Sequence, residues 1–326
     1  MDEFRLTVRS LFRGIGQVMF QQSAWTGLLF WAGIMWGSYE NGCPEVGWGA
    51  LLAVIASTFA GYIIGADRQD GADGLWGFNG VLVGCALPTF LGNTWYMWVA
   101  VVICAMTTTW VRRGFNNVMA PWKVNSLTFP FVFMTWMFLL AARYFHSLDP
   151  VALSAPDLTL SDIPATLDVS FGALLVYWLK GISQVFLVNS WVTGLFFLAG
   201  LAVCSRWAAL WAAIGSAVAL GVSIMFGCDP ALITDGLFGF SATLTGIAVG
   251  CTFYKVTWRS ALWAVTAVVA TQFVQMAMDA VMLPFGIPTL TAPFCITTWL
   301  FLLPRYRMDD RSLPDHSLWH KGAPEN

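Results

Sequence analysis

Long apolar stretches separated by short polar ones occupy most of the chain of 326 residues. Residues 48–65 and 95–111 contain no charged side chain. Further apolar stretches occur at 127–142, 191–203, 208–226 and 261–278. The longer ones approach the ~20 residues with which an α-helix crosses the hydrocarbon core of a bilayer. The pattern therefore predicts an all-α polytopic membrane protein.

Composition agrees with lipid as the solvent. The chain is 58% hydrophobic and 10% charged, with a mean hydropathy of +0.68, which leaves too little polar surface to cover a soluble domain. Many of the 18 Trp lie near the ends of apolar stretches, as in the aromatic belts at the headgroups, although some are equally explained as core residues. The seven Cys stand singly without CxxC spacing. They are expected in the core, with no metal and no cofactor.

The chain contains two copies of one unit. Residues 14–33 match residues 181–200 at 11 of 20 positions. The other matching pairs are 73–84 (DGLWGFNGVLVG) with 235–246 (DGLFGFSATLTG), and 127–131 (LTFPF) with 290–294 (LTAPF). Near-constant offsets of 167, 162 and 163 positions, in one order, indicate duplication. We predict a first repeat at 1–146, a linker at 147–165, a second repeat at 166–310 and a cytoplasmic tail at 311–326.

Loop charges predict that the two repeats have opposite orientations, because Lys and Arg favour cytoplasmic loops. In the first half the N-terminal arm and the loop containing Arg112, Arg113 and Lys123 are basic, whereas the linker region 144–179 has no Lys or Arg. In the second half Lys255 and Arg206 fall where the first half is bare. Each half is therefore expected to cross the membrane an odd number of times, most simply five, with both termini cytoplasmic. The basic run of Arg305, Arg307 and Arg311 supports this placement of the C-terminus.

Inverted repeats place their broken helices against each other near the bilayer midplane. Pro130 and Pro293 suit the first turn of a helix, so Thr128 and Thr291 are expected at helix breaks. Each hydroxyl either bonds back to its own backbone or faces its counterpart across the pseudo-two-fold axis. In the second case the two would form a narrow, uncharged waist.

Four further pairs of residues recur at equivalent positions. Gln17 and Gln184 need hydrogen-bond partners, from a neighbouring helix or from a passing solute. Asp73 and Asp235 precede Gly-rich segments and are expected to cap helix N-termini, with a substrate contact as the alternative. Phe78 with Leu82, and Phe240 with Leu244, have helical spacing that indicates either packing or a flat aromatic slot.

The three matching pairs of segments are 14–33 with 181–200, 73–84 with 235–246, and 127–131 with 290–294. Taken together, they resemble the urea transporter family of membrane channels, and its bacterial-type members in particular. The resemblance covers the chain from about residue 14 to residue 303. It implies a homotrimer in the cell inner membrane. Each protomer would hold a pore between two inverted five-helix repeats, and each repeat would add a re-entrant half-helix.

The family pattern also implies which side chains line the pore. The first slot would consist of Val18, Phe20, Phe78 and Leu82, and the second of Val185, Leu187, Phe240 and Leu244. Gln17, Gln184, Thr128, Thr291 and nearby carbonyl groups would form an oxygen ladder that accepts urea N–H groups. Because Leu187 stands where the first half has Phe20, and Ser241 and Ala242 replace Asn-Gly, the second slot is expected to be less aromatic.

The expected function is passive, channel-like passage of urea, with urea and membrane lipid as partners and no nucleic acid. An ion-coupled transporter would normally carry midplane acids or bases, and Asp279 lies near a predicted outer end. Channels for water and ammonia are disfavoured, because the chain has no NPA motif and its three His occur at a helix end and in the tail. No catalytic set points to an enzyme. Short amides remain the closest rival permeants.

Overall fold

The structure is a computed structural model that describes residues 2–148, residue 151 and residues 166–306. Most of the predicted linker and the tail beyond residue 306 lie outside the described residues. Within these residues the first half forms α1 (Asp2–Gln17), α2 (Ala24–Glu40), α3 (Glu45–Ile63), α4 (Arg68–Ala72), α5 (Phe78–Phe90), α6 (Trp95–Met119) and α7 (Phe129–Ala142). The second half forms α8 (Phe171–Ser183), α9 (Trp191–Cys204), α10 (Arg206–Met225), α11 (Pro230–Thr234), α12 (Gly239–Ile247), α13 (Trp258–Met282) and α14 (Ala292–Leu302).

The two halves repeat the same order of helices, which confirms the predicted all-α fold. Each of α1 to α7 has a counterpart seven helices later, and α4 and α11 are the same five-residue element. The described helices of the two halves fall within 1–146 and 166–310 respectively. The boundaries of the repeats stay predictions.

Equivalent helix starts are capped by equivalent hydroxyls. The Ser23 hydroxyl accepts a hydrogen bond from the Thr26 N–H at the start of α2, and Ser190, 167 positions later, does the same for α9. Thr94 and Thr257 cap α6 and α13. A helix start leaves backbone N–H groups without a partner, and lipid supplies no substitute, so these caps fix where the chain resumes a helix.

Reciprocal hydrogen bonds join the two halves. The Thr26 hydroxyl donates to the Gly200 carbonyl at 2.8 Å, and the Thr193 hydroxyl donates to the Gly33 carbonyl at 2.7 Å. A second exchange uses indole N–H groups: Trp136 donates to Pro288 and Trp299 to Asn125, both at 2.8 Å. In each exchange the donor and the acceptor swap halves, as a two-fold axis requires. The duplicated sequence therefore folds into two symmetry-related halves.

Helix length alone identifies only part of the membrane-crossing structure. In the described part of the chain, α3, α10 and the stretch Trp258–Phe285 are long and apolar enough to cross a membrane, and α8 with α9 forms a candidate span bent by 72°. Shorter apolar helices are Phe78–Phe90, Phe129–Ala142, Gly239–Thr252 and Ala292–Leu302. The helices are interrupted at the repeated motifs. Fewer of them are therefore long enough to cross a membrane than the five crossings per half that the loop charges predict.

The capping role predicted for Asp73 and Asp235 is wrong. Asp67 and Asp229 cap α4 and α11, each accepting a backbone N–H at 2.8 Å. Asp73 and Asp235 instead follow these five-residue helices. A five-residue helix lies between the two aspartates of each half, and the sequence pattern does not predict it. The capping aspartate is therefore six residues earlier in the chain than predicted.

Candidate functional site

The hydroxyls of Thr128 and Thr291 meet at the interface between the halves. Their oxygen atoms lie 2.6 Å apart, and both residues are buried. The Cys295 sulfur lies 3.3 Å from the Thr128 hydroxyl. Neither threonine caps its own helix, although each occupies the N-cap position of α7 or α14. Of the two arrangements that the sequence allows, the structure has the one in which the two hydroxyls face each other.

A left-handed backbone turn precedes each threonine. Leu127 and Leu290 have φ angles of 52° and 51°. Non-glycine residues rarely adopt this conformation, so its occurrence at both equivalent positions indicates a geometry that the surrounding fold imposes. The turn directs the N-termini of α7 and α14 towards the threonine pair. Each helix N-terminus carries a partial positive charge.

Gln17 and Gln184 make the same hydrogen bond in the two halves. The side-chain amide of Gln17 donates to the Asp73 carbonyl at 2.9 Å, and that of Gln184 donates to the Asp235 carbonyl at 2.8 Å. No hydrogen bond from a described residue reaches either Oε1 atom. The neighbouring segment therefore binds the amide donors and leaves the two acceptor oxygens for another partner.

The chain turns sharply after each glutamine. Phe20 and Leu187 have left-handed φ angles of 62° and 58°. Within the described residues, the carbonyl oxygens of Val18 and Val185 accept no backbone hydrogen bond. The end of α1 and the corresponding turn after α8 thus each offer a carbonyl oxygen and a glutamine oxygen within one helical turn.

A cavity of about 750 Å³, here called the vestibule, leads to the threonine pair. Its lining includes five of the predicted site residues of the second half: Gln184, Val185, Leu187, Phe240 and Thr291. The sixth, Leu244, is fully buried outside this lining. The structure therefore brings most of the predicted second slot together around one open space.

The predicted first slot lies outside the vestibule. The Phe20 ring is half-buried and meets the rings of Phe253 and Phe294 edge-on, with centroids 5.8 and 6.1 Å apart. Val18, Phe78 and Leu82 are buried. Phe20 therefore contacts α14 of the opposite half, which carries Thr291 at its start.

A partly buried ion pair, which the paired motifs do not predict, lies against Phe78. The Arg112 guanidinium lies 5.8 Å from the centre of the Phe78 ring and 2.9 Å from an Asp70 carboxylate oxygen. The interpretation of Arg112 as a loop charge is wrong, because α6 continues to Met119 and buries it. The equivalent residues of the second half are Gln275 and Leu232. Among the described residues, only the first slot has a cation behind its aromatic ring. The two copies of the sequence differ in the same way, because Gln275 stands where the first half has Arg112.

Asn79 braces the first half of the threonine pair. Its side-chain oxygen accepts the Phe131 N–H at 3.0 Å, and its amide donates to the Leu127 carbonyl at 3.4 Å. Asn79 thus holds the first turn of α7 and the left-handed residue before Thr128. The equivalent Ser241 is too short for this role, and its hydroxyl has no partner in the described structure.

Replacement of Arg112 by Gln, the second-half residue, is expected to lower stability by about 1–3 kcal/mol, because it leaves the partly buried Asp70 carboxylate without its charged partner. The double variant Arg112→Gln with Asp70→Leu reproduces the pair of the second half and should recover most of the loss. Thermal unfolding in detergent of the four members of this cycle measures the coupling. If the single variant unfolds at the wild-type temperature, the ion pair does not stabilise the slot.

Fold and site together define a class of protein. An all-α membrane protein of two symmetry-related halves, with two buried hydroxyls in contact between helix N-termini and a cavity that reaches one of them, is a membrane transport protein of the inverted-repeat type.

The family is shown by sequence. The profile of the urea transporter family matches residues 8–306. Urea transporter 1 of Ovis aries is 30% identical over 299 residues, which cover 89% of this chain and 75% of the relative. Urea transporter 1 of Rattus norvegicus is 28% identical over 304 residues, covering 90% and 76%. The chain belongs to the urea transporter family.

Proposed function

We propose that this protein lets urea pass a membrane passively, past the paired hydroxyls of Thr128 and Thr291. The observation that carries the proposal is the direct contact of these hydroxyls at the meeting point of two helix starts. The names of the relatives, which are urea transporters, agree with it.

The chemistry of the proposed pore matches urea. Urea is planar, neutral and rich in N–H donors. Phe20 and Phe78 on one side, and Phe240 on the other, offer flat apolar faces for its plane. Gln17, Gln184 and nearby carbonyl groups offer acceptors that replace the water it loses, as threonine hydroxyls do at the waist. Several weak bonds in sequence allow both binding and release.

The proposed waist excludes cations for two reasons. No charged side chain among the described residues bonds to Thr128 or Thr291, so nothing there offsets the free energy of removing water from an ion. The N-termini of α7 and α14 also add partial positive charge at this point. The same features argue against ion coupling, which normally requires acids or bases near the midplane.

We further propose that the protein is a homotrimer in the cell inner membrane, with both termini in the cytoplasm and with pore residues as predicted from the paired motifs. Large exposed apolar side chains such as Trp25, Trp95 and Trp258 suit contact with lipid or with neighbouring protomers. The orientation rests on the distribution of Lys and Arg.

Stopped-flow uptake by proteoliposomes tests passive passage. Urea flux above the protein-free control is expected, and it should be unchanged by a proton or sodium gradient. Acetamide measured in parallel ranks the closest rival permeant. A flux that requires a gradient would replace the channel mechanism by coupled transport, and no urea flux would remove the function altogether.

A further inference from the structure

The vestibule has an acidic lining that urea itself does not require. Asp235 and Asp279 line it, and no Lys, Arg or His occurs among its described lining residues. Asp235 is compensated, because it accepts a hydrogen bond from Asn189 at 2.8 Å and has the Lys180 ammonium 3.7 Å away. Asp279 has no ion-pair partner in the described part of the chain. It is therefore the uncompensated charge of the vestibule.

The Asp279 carboxylate has neutral partners and no cation among the described residues. Its Oδ1 accepts the Thr289 hydroxyl at 2.8 Å, and the Gln275 side-chain amide also interacts with the carboxylate. Arg143 is engaged elsewhere, because it donates to the carbonyls of Phe285 and Gly286 at 2.6 and 3.3 Å. A carboxylate that lines a cavity with neutral partners only can accept further N–H donors from a cation.

A second polar group, the side-chain amide of Gln275, lines the same space beside Asp279. Gln275 precedes Asp279 by one helical turn, so both lie on one face of α13. Gln275 is 2% exposed and lines the vestibule, and its amide donates to the Leu237 carbonyl at 2.6 Å. Its Oε1 is buried without a partner in the structure as described. An unpaired buried acceptor beside a carboxylate whose described partners are neutral is a site for a ligand that carries several N–H donors and a positive charge.

The first half lacks this site. Arg112 and Asn116 are the equivalents of Gln275 and Asp279. Asn116 uses its side-chain oxygen to accept the Ser126 N–H at 2.9 Å, and Arg112 pairs with Asp70. The pair of Gln275 and Asp279 therefore belongs to the second half only.

We propose that the vestibule binds small planar cations of the guanidinium class at Asp279 and Gln275, and that these cations block urea from this side without passing. The inference rests on the proposed function. Guanidinium has the planar shape of urea with N–H donors on all three nitrogens, so the carboxylate and the amide oxygen together hold it. The helix N-termini and the neutral hydroxyls at Thr128 and Thr291 then stop the charge at the waist.

The test is urea flux into proteoliposomes with guanidinium chloride or, at equal ionic strength, tetramethylammonium chloride, applied to each side in turn. Guanidinium should inhibit wild-type flux from one side only, and a guanidinium gradient should drive no guanidinium uptake. The variant Asp279→Asn carries the side chain that Asn116 provides in the first half and keeps the Thr289 bond. It should raise the half-inhibitory concentration at least tenfold.

Asp168→Asn, which removes an exposed acid that does not line the vestibule, is the matched control and should be inhibited like the wild type. Isothermal titration of guanidinium into the purified protein gives a readout independent of flux. The inference is overturned if guanidinium does not inhibit urea flux through the wild type, or if it inhibits Asp279→Asn as strongly as the wild type. Passive passage of urea would stand in both cases. Guanidinium uptake at the rate of urea also overturns the inference. An absence of urea flux contradicts the proposed function instead.

Discussion

Joint replacement of Thr128 and Thr291 by valine is expected to slow urea permeation by roughly 10- to 100-fold. Urea at the waist has lost its water, and the two hydroxyls are the polar side chains that meet there. A polar group left unpaired in an apolar site loses about 1–3 kcal/mol. Tenfold in rate corresponds to about 1.4 kcal/mol. Valine keeps the shape of threonine, so the effect isolates the hydroxyls.

The fold should survive this double replacement, because both members of the hydrogen bond are exchanged together for apolar groups of the same shape, which is close to neutral. Thr135→Val with Thr298→Val is the matched control: this second symmetric pair lies two turns further along α7 and α14, and its buried hydroxyls have no described partner. Urea flux per folded protein, measured by stopped flow, should fall in the Thr128→Val, Thr291→Val variant and not in the control variant. Equal flux in both pairs would place the constriction elsewhere.

The sequence predicts the threonine pair because two local signals combine there. Pro130 and Pro293 fix the start of a helix, and the repetition in both halves implies that equivalent residues face each other across an axis. The structure confirms the contact between the hydroxyls. The role of these residues in permeation stays a prediction, as do the roles of the other predicted pore residues.

Other parts of the site depend on contacts that no local pattern contains. Arg112 and Asp70 are 42 positions apart, and their ion pair forms because α6 continues beyond the uncharged stretch 95–111 and buries Arg112. Loop charge statistics treat such an arginine as a cytoplasmic signal. The caps at Asp67 and Asp229 were missed for a different reason, since five-residue helices have no periodicity to detect.

Replacement of Gly27 by alanine is expected to cause a large loss of stability, about 3 kcal/mol or more, since backbone must move to make room. A Cβ atom at Gly27 would lie 1.7 Å from the Phe12 carbonyl oxygen, and at the equivalent Gly194 it would lie 2.3 Å from that of Leu179. At both positions a helix that ends at or next to a predicted pore glutamine packs against the following helix. The alanine would therefore displace α1 and with it Gln17 and the carbonyl of Val18.

The measurement separates this packing effect from ordinary helix propensity. Gly221→Ala in α10 is the control, because a Cβ there meets no atom within 4 Å and should leave thermal unfolding and urea flux close to the wild type. Gly27→Ala should lower both the unfolding temperature in detergent and the flux of whatever folds, and Gly194→Ala should show the same direction with a smaller loss. If Gly27→Ala and Gly221→Ala unfold at the same temperature, then α1 does not pack on α2 as closely as described. The position of Gln17 at the end of α1 would then also be wrong. A loss at Gly27 with normal flux per folded protein would instead show that the pore tolerates displacement of α1.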